Sequence, residues 1–414
     1  MIKRAQDVAG RLQAVGIGML GGRTGVAMIV AALLLALAQP ALAARARTRA
    51  SQPTGDRPSA RTSQSAGPAT PSWIVVNAAT GEELTKQEPD RPGAPASMTK
   101  MMLALLVMEA VRDGQLKLSD PVQASRLASK MGGSQVYLKE GEVFPVEDMM
   151  AALLIGSAND AAVALAERLA GSVQSTIQLM NDRAAALKLT QTRFGSVHGL
   201  PPSLGQEGDV TTPRDMARLA QELLKFPDIV RWTSTPEAPF RNGTFILRNS
   251  NKLIGQFSGA DGLKTGHFHE AGYNVVATAK RGNLRLIAVV MGAPTNKARF
   301  EEAARLLGEG FTRYVEVTVV KAGAFVGTDV NVVRARGPFR PMAANDVQIL
   351  VKREDREQIK SSVEIQPDLR APLTKGQAVG TLIVRVGDRE VARTPLVTAG
   401  EVKRKAFWWL TPWK

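Results

Sequence analysis

The sequence predicts a mixed α/β (α+β) domain followed by a smaller all-β domain, and three observations carry the prediction. The middle of the chain, residues 145–225, has the apolar spacing of successive helices. Strand-like runs flank those helices on both sides. From Val315 to about Thr398, short alternating Val, Leu and Ile runs are broken by Gly, Pro and Asp, with no helical period. With 414 residues, 44% hydrophobic and 22% charged, the chain has room for two folded domains plus tails.

The first element is not expected to fold. Lys3, Arg4, Arg11 and Arg23 precede the apolar run Val26 to Ala38, which closes on Gln39-Pro40 and Ala41-Leu42-Ala43. Charged region, apolar core and small-residue site predict an export signal over 1–43, cut after Ala43. A retained membrane anchor is the competing reading, but a span needs about twenty apolar residues and this core is shorter. Residues 44–70 carry Arg, Ser, Thr, Pro, Ala and Gly and no apolar side chain larger than alanine, so they predict a solvated linker.

Order begins at Ser72-Trp73-Ile74-Val75-Val76, a β-rich run turning at Ala79-Thr80-Gly81 into a second, polar strand. Ser97 to Val111 is apolar nearly all round and predicts a helix buried at a domain centre, ending at Asp113-Gly114. Helices follow over 145–170, 173–188 and 212–225, the last opening on a Thr212 cap with Pro213 at its first position. Gly262 to Gly266, Tyr273 to Ala279 and Leu284 to Met291 predict strands, and Asn296 to Tyr314 a helix packing back. The expected units are a catalytic-sized domain over 71–316, a β domain over 317–400 and a tail over 401–414.

Composition narrows the chemistry. With no cysteine, disulfides, thiolate metal sites and cysteine nucleophiles are excluded. The full sequence carries a net charge of +15 and stays strongly basic without 1–43, which in an exported chain suits anionic headgroups or an acidic wall polymer, and nothing resembles a nucleic-acid fold. The tail places Phe407, Trp408, Trp409 and Trp413 beside Lys403-Arg404-Lys405, which fits a weak membrane-surface contact; aromatics folding back on the β domain are the alternative. His198, His267 and His269 lack companions at metal-ligand spacing, so neither metal nor cofactor is expected, and no Gly-x-Ser-x-Gly elbow is present.

Three short runs carry chemistry: Ser97-Met98-Thr99-Lys100, Ser157-Ala158-Asn159 and Lys264-Thr265-Gly266. A serine three residues before a lysine is common by chance; the weight lies in all three, in order. Ser97 and Lys100, at i and i+3, share one helix face, so a lysine with a depressed pKa can take the serine proton. Burial near another cation, Lys264, would depress it. Ser157 can relay a proton to a leaving amine, and Asn159 can orient Lys100 and hold a substrate amide. Lys264 and Thr265 offer a cation and a hydroxyl to a carboxylate, Gly266 allows close approach, and Arg299 is a second carboxylate candidate.

On these residues the chain resembles the low-molecular-mass penicillin-binding proteins, specifically serine D-alanyl-D-alanine carboxypeptidases of the family-5 or family-6 kind. The likeness runs over residues 71–400 and includes Pro95-Ala96-Ser97-Met98-Thr99-Lys100-Met101-Met102, Gly156-Ser157-Ala158-Asn159-Asp160-Ala161, Val197-His198-Gly199-Leu200, Asp261-Gly262-Leu263-Lys264-Thr265-Gly266-His267 and Ala271-Gly272-Tyr273-Asn274. The resemblance implies a transpeptidase/β-lactamase-like catalytic domain, a five-stranded sheet against helices, followed by a β-sandwich. It implies removal of the terminal D-alanine from peptidoglycan pentapeptides, with β-lactam antibiotics as inhibitors. Ser97 would be the nucleophile, Lys100 the base, Ser157 and Asn159 the second element and Lys264 the third. The backbone N–H groups of Ser97 and His267 would form the oxyanion hole, and Arg299 would bind the carboxylate. Phe268 departs from the family's threonine, and the tail, broken by Pro412, is shorter than the family's amphipathic helix. A β-lactamase, for which the segment 205–212 offers Glu207 without a recognisable surrounding motif, and a catalytically silent wall-binding homologue are the alternatives.

Overall fold

Alternation along Ile74, Val75 and Val76 sends successive side chains to opposite faces of a sheet, and both faces here are covered. The computed structural model describes residues 70–203, 205 and 207–405; the expected export segment, the linker up to residue 69 and tail residues 406–414 lie outside them. Strands β1 (Ser72–Asn77) and β2 (Glu83–Gln87) form the N-terminal hairpin. They are joined by β3 (Ala260–Phe268), β4 (Gly272–Arg281) and β5 (Leu284–Ala293) in an antiparallel five-stranded sheet of order β2-β1-β5-β4-β3. Strand β3 is therefore an edge.

Between the two groups of strands lie helices α1 (Lys100–Arg112), α2 (Val146–Leu154), α3 (Asn159–Ala170), α4 (Val173–Ala186) and α5 (Pro213–Leu223). Thr212 caps α5 through the Asp215 amide, with Pro213 in its first turn. Helix α6 (Asn296–Arg313) follows β5. On one face of the sheet, Val75, Leu286, Ala288 and Val290 pack against Phe300, Leu306, Leu307 and Phe311 of α6. Each such large side chain contributes about 2 kcal/mol through apolar burial. On the other face, Ile74, Val76, Ile287 and Val289 join Met101, Met102 and Leu105 of α1, whose side chains are enclosed on every side. That enclosure is why α1 shows no polar stripe in the sequence.

Two helices differ from the sequence expectation, and both differences lie beside the chemistry. The helix expected from Ser97 begins as a 3-10 turn over Ala96–Thr99, because Ala96 sits at φ +50°, outside the α path; α1 proper starts at Lys100. The run expected over 145–170 is split: α2 stops at Leu154, Ser157 adopts φ +59°, and α3 restarts at Asn159.

The strands after α6 build a separate β unit: β6 (Tyr314–Val320), β7 (Pro341–Ala343), β8 (Val347–Lys352), β9 (Ile359–Ile365), β10 (Ala378–Val386) and β11 (Arg389–Thr398). β6 pairs with β8, and the others form a sheet of order β7-β11-β10-β9. Both sheets bury one core around Ile349, Val351, Leu382, Val384 and Leu396. The unit starts at Tyr314 rather than 317, since α6 ends at Arg313 and the next residue already pairs with Lys352. It also extends past 400: Val402 bridges Leu373 and Arg404 bridges Ala335, so the first residues of the expected tail belong to the β unit. Among the described residues no helix is long and apolar enough to cross a membrane.

Candidate active site

The 3-10 turn at the start of α1 presents Ser97 at the junction of the sheet and the helical lobe. One helical turn on, Lys100 is fully buried, its Nζ 3.0 Å from Ser97 Oγ and 2.6 Å from the His198 carbonyl oxygen. The spacing of three residues thus brings hydroxyl and amine together as the sequence predicts. Burial, then the Lys264 charge, push the Lys100 pKa well below its ordinary value, with Asp209 and Asp160 opposing.

The break between α2 and α3 supplies the opposite wall. Ser157, strained at positive φ, is held so that its Oγ accepts from Lys264 Nζ at 2.8 Å. Asn159 opens α3, its amide N–H donating to Ser134 O and its Nδ2 to Gly132 O, both at 2.7 Å. The Oδ1 of Asn159 is buried without a hydrogen-bond partner, an acceptor ready for a ligand N–H. Asn159 does not orient Lys100, as its spacing had suggested; the His198 carbonyl fills that place.

Strand β3 forms the third side. Lys264 is buried and drawn down to about 7 by burial and the nearby Arg299 charge. Lys264 in turn helps to lower Lys100, so each buried amine is held below its ordinary range. Thr265 Oγ1 shares a hydrogen bond with Ser250 Oγ at 2.7 Å. Gly266 is obligatory: a Cβ there would meet Pro95 O at 2.3 Å and Ser97 N at 3.1 Å, so only glycine lets the strand pass the nucleophile.

Arg299 is buried behind β3, its Nη1 donating to Gly266 O and Asn274 O at 3.1 and 3.0 Å. Burial lowers it to about 10. The His267 ring is exposed, stacked on Tyr273 with 3.7 Å between centroids.

The loop carrying His198 is pinned from beneath. Asp209 accepts from Thr99 Oγ1 and Gly195 N at 2.7 Å and from Ser196 N and Oγ at 2.9 Å; Ser196 Oγ in turn accepts from Gly199 N at 2.8 Å. Four donors converging on one carboxylate fit its ionised form. Gly199, at φ +80°, runs so near the nucleophile's turn that a Cβ would lie 2.0 Å from Ala96 O. The imidazole of His198 accepts at Nδ1 from Leu200 N and is pushed down to about 4 by burial and Lys100, so it stands neutral. Only its main-chain oxygen touches Lys100.

Sequence reasoning brought forward all nine residues assembled here but missed Asp209, Ser250 and the His198 carbonyl. Asp209 has no motif of its own, and a main-chain acceptor carries no residue-type signal.

A serine and a buried, proton-poor lysine, a strained hydroxyl tied to a second lysine, and a β edge with a cationic end define a penicillin-recognising serine hydrolase. Family comparison agrees. Residues 59–295 match the model of the D-alanyl-D-alanine carboxypeptidases, and 314–404 that of the penicillin-binding protein 5 C-terminal domain. The chain belongs to the D-alanyl-D-alanine carboxypeptidase family. It is 37% identical over 341 residues to the D-alanyl-D-alanine carboxypeptidase DacF of Bacillus subtilis, covering 81% of this chain and 86% of the relative. Penicillin-binding protein 5 from Haemophilus influenzae superposes with a TM-score of 0.66 at 30% identity, over 80% of this chain and 97% of that one. Penicillin-binding protein D2 from Listeria monocytogenes, crystallised in an ampicillin-bound form, gives 0.53 at 33% identity, over 58% and 96%.

Proposed function

We propose that the protein removes the terminal D-alanine from peptidoglycan stem pentapeptides through an ester on Ser97, and that penicillins acylate the same oxygen. The contact between Lys100 Nζ and Ser97 Oγ at 3.0 Å carries the reading. Neutral Lys100 takes the hydroxyl proton as Oγ bonds to the penultimate D-alanine carbonyl. The N–H groups of Ser97 and His267 receive the oxyanion. Collapse breaks the C–N bond, and the proton passes through Ser157 to the departing D-alanine nitrogen. Water then attacks the ester carbonyl as Lys100 accepts its proton; the acyl–Oγ bond breaks, Lys100 returns the proton to Ser97 Oγ, and the shortened peptide leaves as its carboxylate.

Lys264 and Thr265 hold the free carboxylate, and Arg299 adds positive charge behind them. The entering anion raises the Lys264 pKa and restores its full charge. Asn159 Oδ1 accepts an amide N–H of the acyl donor. Glu207 bears against a β-lactamase reading, since it is exposed and paired with Arg193. We further propose export across the cytoplasmic membrane and peripheral residence on its outer face, facing the periplasm or cell surface; the charge pattern of 1–43 and the basic aromatic tail support this.

Wild type should release free D-alanine from diacetyl-L-Lys-D-Ala-D-Ala, and Ser97→Ala should not. Absence of release by wild type under conditions in which penicillin labels it would overturn the carboxypeptidase reading, and rapid nitrocefin turnover would favour a β-lactamase.

A further inference from the structure

The stretch Val402 to Lys405 runs back along the β unit as a short antiparallel ribbon against residues 333–336. Arg336 N donates to Lys403 O and Lys405 N to Arg334 O, both at 2.8 Å, on either side of the bridge between Ala335 and Arg404. That register sets Arg334 opposite Lys405 and Arg336 opposite Lys403. Arg370 lies alongside, because Val333 bridges it and accepts at its carbonyl from Ala371 N at 2.9 Å. Six exposed cations meet there: Arg334, Arg336, Arg370, Lys403, Arg404 and Lys405.

Like charges set opposite one another across two strands repel. None of the six joins an ion pair among the described residues, whereas Arg340 and Arg393 of the same β unit are matched to Asp329 and Glu390 at 3.0 and 2.7 Å. Glu401 and Asp368, the acids nearest in sequence, are exposed and make no ion pair either. The fold thus gathers positive charge that it does not itself neutralise. An extended anionic surface relieves several of these cations at once, which a single small anion cannot do.

Two features of the same ribbon favour a lipid surface over a wall polymer. Val333, next to Arg334, is 59% exposed and offers an apolar side chain among the cations. Beyond Lys405 the sequence continues into Phe407, Trp408, Trp409 and Trp413, residue types that settle at headgroup depth. A short tail interrupted by Pro412 supplies only weak contact, and stable residence takes a second signal, a role a basic patch fills.

We infer that this ribbon of the folded β unit is an electrostatic docking surface for anionic phospholipid headgroups, acting together with the tail. The inference rests on the residence at the outer membrane face proposed above and names the folded surface that meets the lipid.

The test sediments the protein, in the form cells process it to, with vesicles of two parts phosphatidylglycerol to three parts phosphatidylcholine, and with phosphatidylcholine alone. Wild type should prefer the anionic vesicles at least tenfold at about 50 mM salt and lose that preference at about 500 mM. A cation near such a surface is worth about fivefold in binding, so Arg334→Gln combined with Arg336→Gln should weaken it about 20-fold. Lys117→Gln combined with Lys225→Gln removes the same charge from exposed sites on the catalytic domain and should leave binding within about twofold. Ending the chain at Lys405 should lower the affinity yet keep the salt-sensitive preference. Arg336→Glu, which sets an opposite charge against Lys403, carries the test should the double variant not fold. A wild type without preference for anionic vesicles, equal losses from the two double variants, or capture by soluble poly(glycerol phosphate) in place of vesicles overturns the docking surface. A wild type absent from the cell envelope on fractionation would instead strike the residence reading.

Discussion

Lys264 reaches across the cleft to Ser157, Nζ donating to Oγ at 2.8 Å, and so ties the β3 edge to the break between α2 and α3. The same buried charge holds down Lys100. One side chain therefore joins the clamp, the relay and the base electrostatically, which gives the site its testable pH behaviour.

If neutral Lys100 is the base, the acylation rate should climb with pH through its depressed pKa and level above it. Lys264→Gln removes a charge that lowers Lys100, so the Lys100 pKa rises and the climbing limb moves to higher pH. Stopped-flow acylation by a penicillin from pH 5 to 10 measures the limb. A limb that stays in place, or moves the other way, contradicts the coupling.

Asp209→Asn makes the opposite prediction. The Asp209 charge raises Lys100, so its removal lowers the Lys100 pKa and shifts the limb towards acid. Loss of an acceptor for Gly195, Ser196 and Thr99 should also loosen the loop beneath His198, reducing the plateau rate about tenfold. Ser196→Ala, which keeps the charge, should lower the plateau without moving the limb.

Removal of the Ser157 hydroxyl breaks the proposed path to the leaving nitrogen. Ser157→Ala should slow D-alanine release by 10² to 10⁴, the usual order for losing a positioned proton donor, and cost about 1 kcal/mol of stability because the buried Lys264 amine loses an acceptor. Release within a few-fold of wild type would remove Ser157 from the mechanism.

Gly199→Ala tests the close approach at the nucleophile's turn. A methyl 2.0 Å from Ala96 O, at φ +80°, forces the backbone apart; about 2 kcal/mol of stability and most penicillin labelling should be lost. Wild-type melting and labelling would show that the turn accommodates the methyl.

The legible parts of this molecule are those in which side-chain type and period carry the information. Ile74 and Val75 reveal a sheet buried on both faces, and Ser97 with Lys100 reveals a shared helix face because i and i+3 must meet. The positive φ of Ser157 was not legible, since nothing in a serine requires it, and a continuous helix over 145–170 was the natural reading. The support of Lys100 by His198 O rather than Asn159 was hidden for another reason: a carbonyl is common to every residue, and 98 positions separate the partners. Asp209 sits in a polar loop stretch, and only the fold brings Thr99 onto it. The domain edge at Tyr314 was misplaced because a helix runs into a strand without any Gly or Pro between them.

The most direct test is the intact mass of the protein after brief exposure to benzylpenicillin, followed by peptide mapping. The account predicts a gain of one penicillin mass, carried by the peptide containing Ser97 and absent from Ser97→Ala. An unmodified wild type, or an adduct on any other residue, would contradict it.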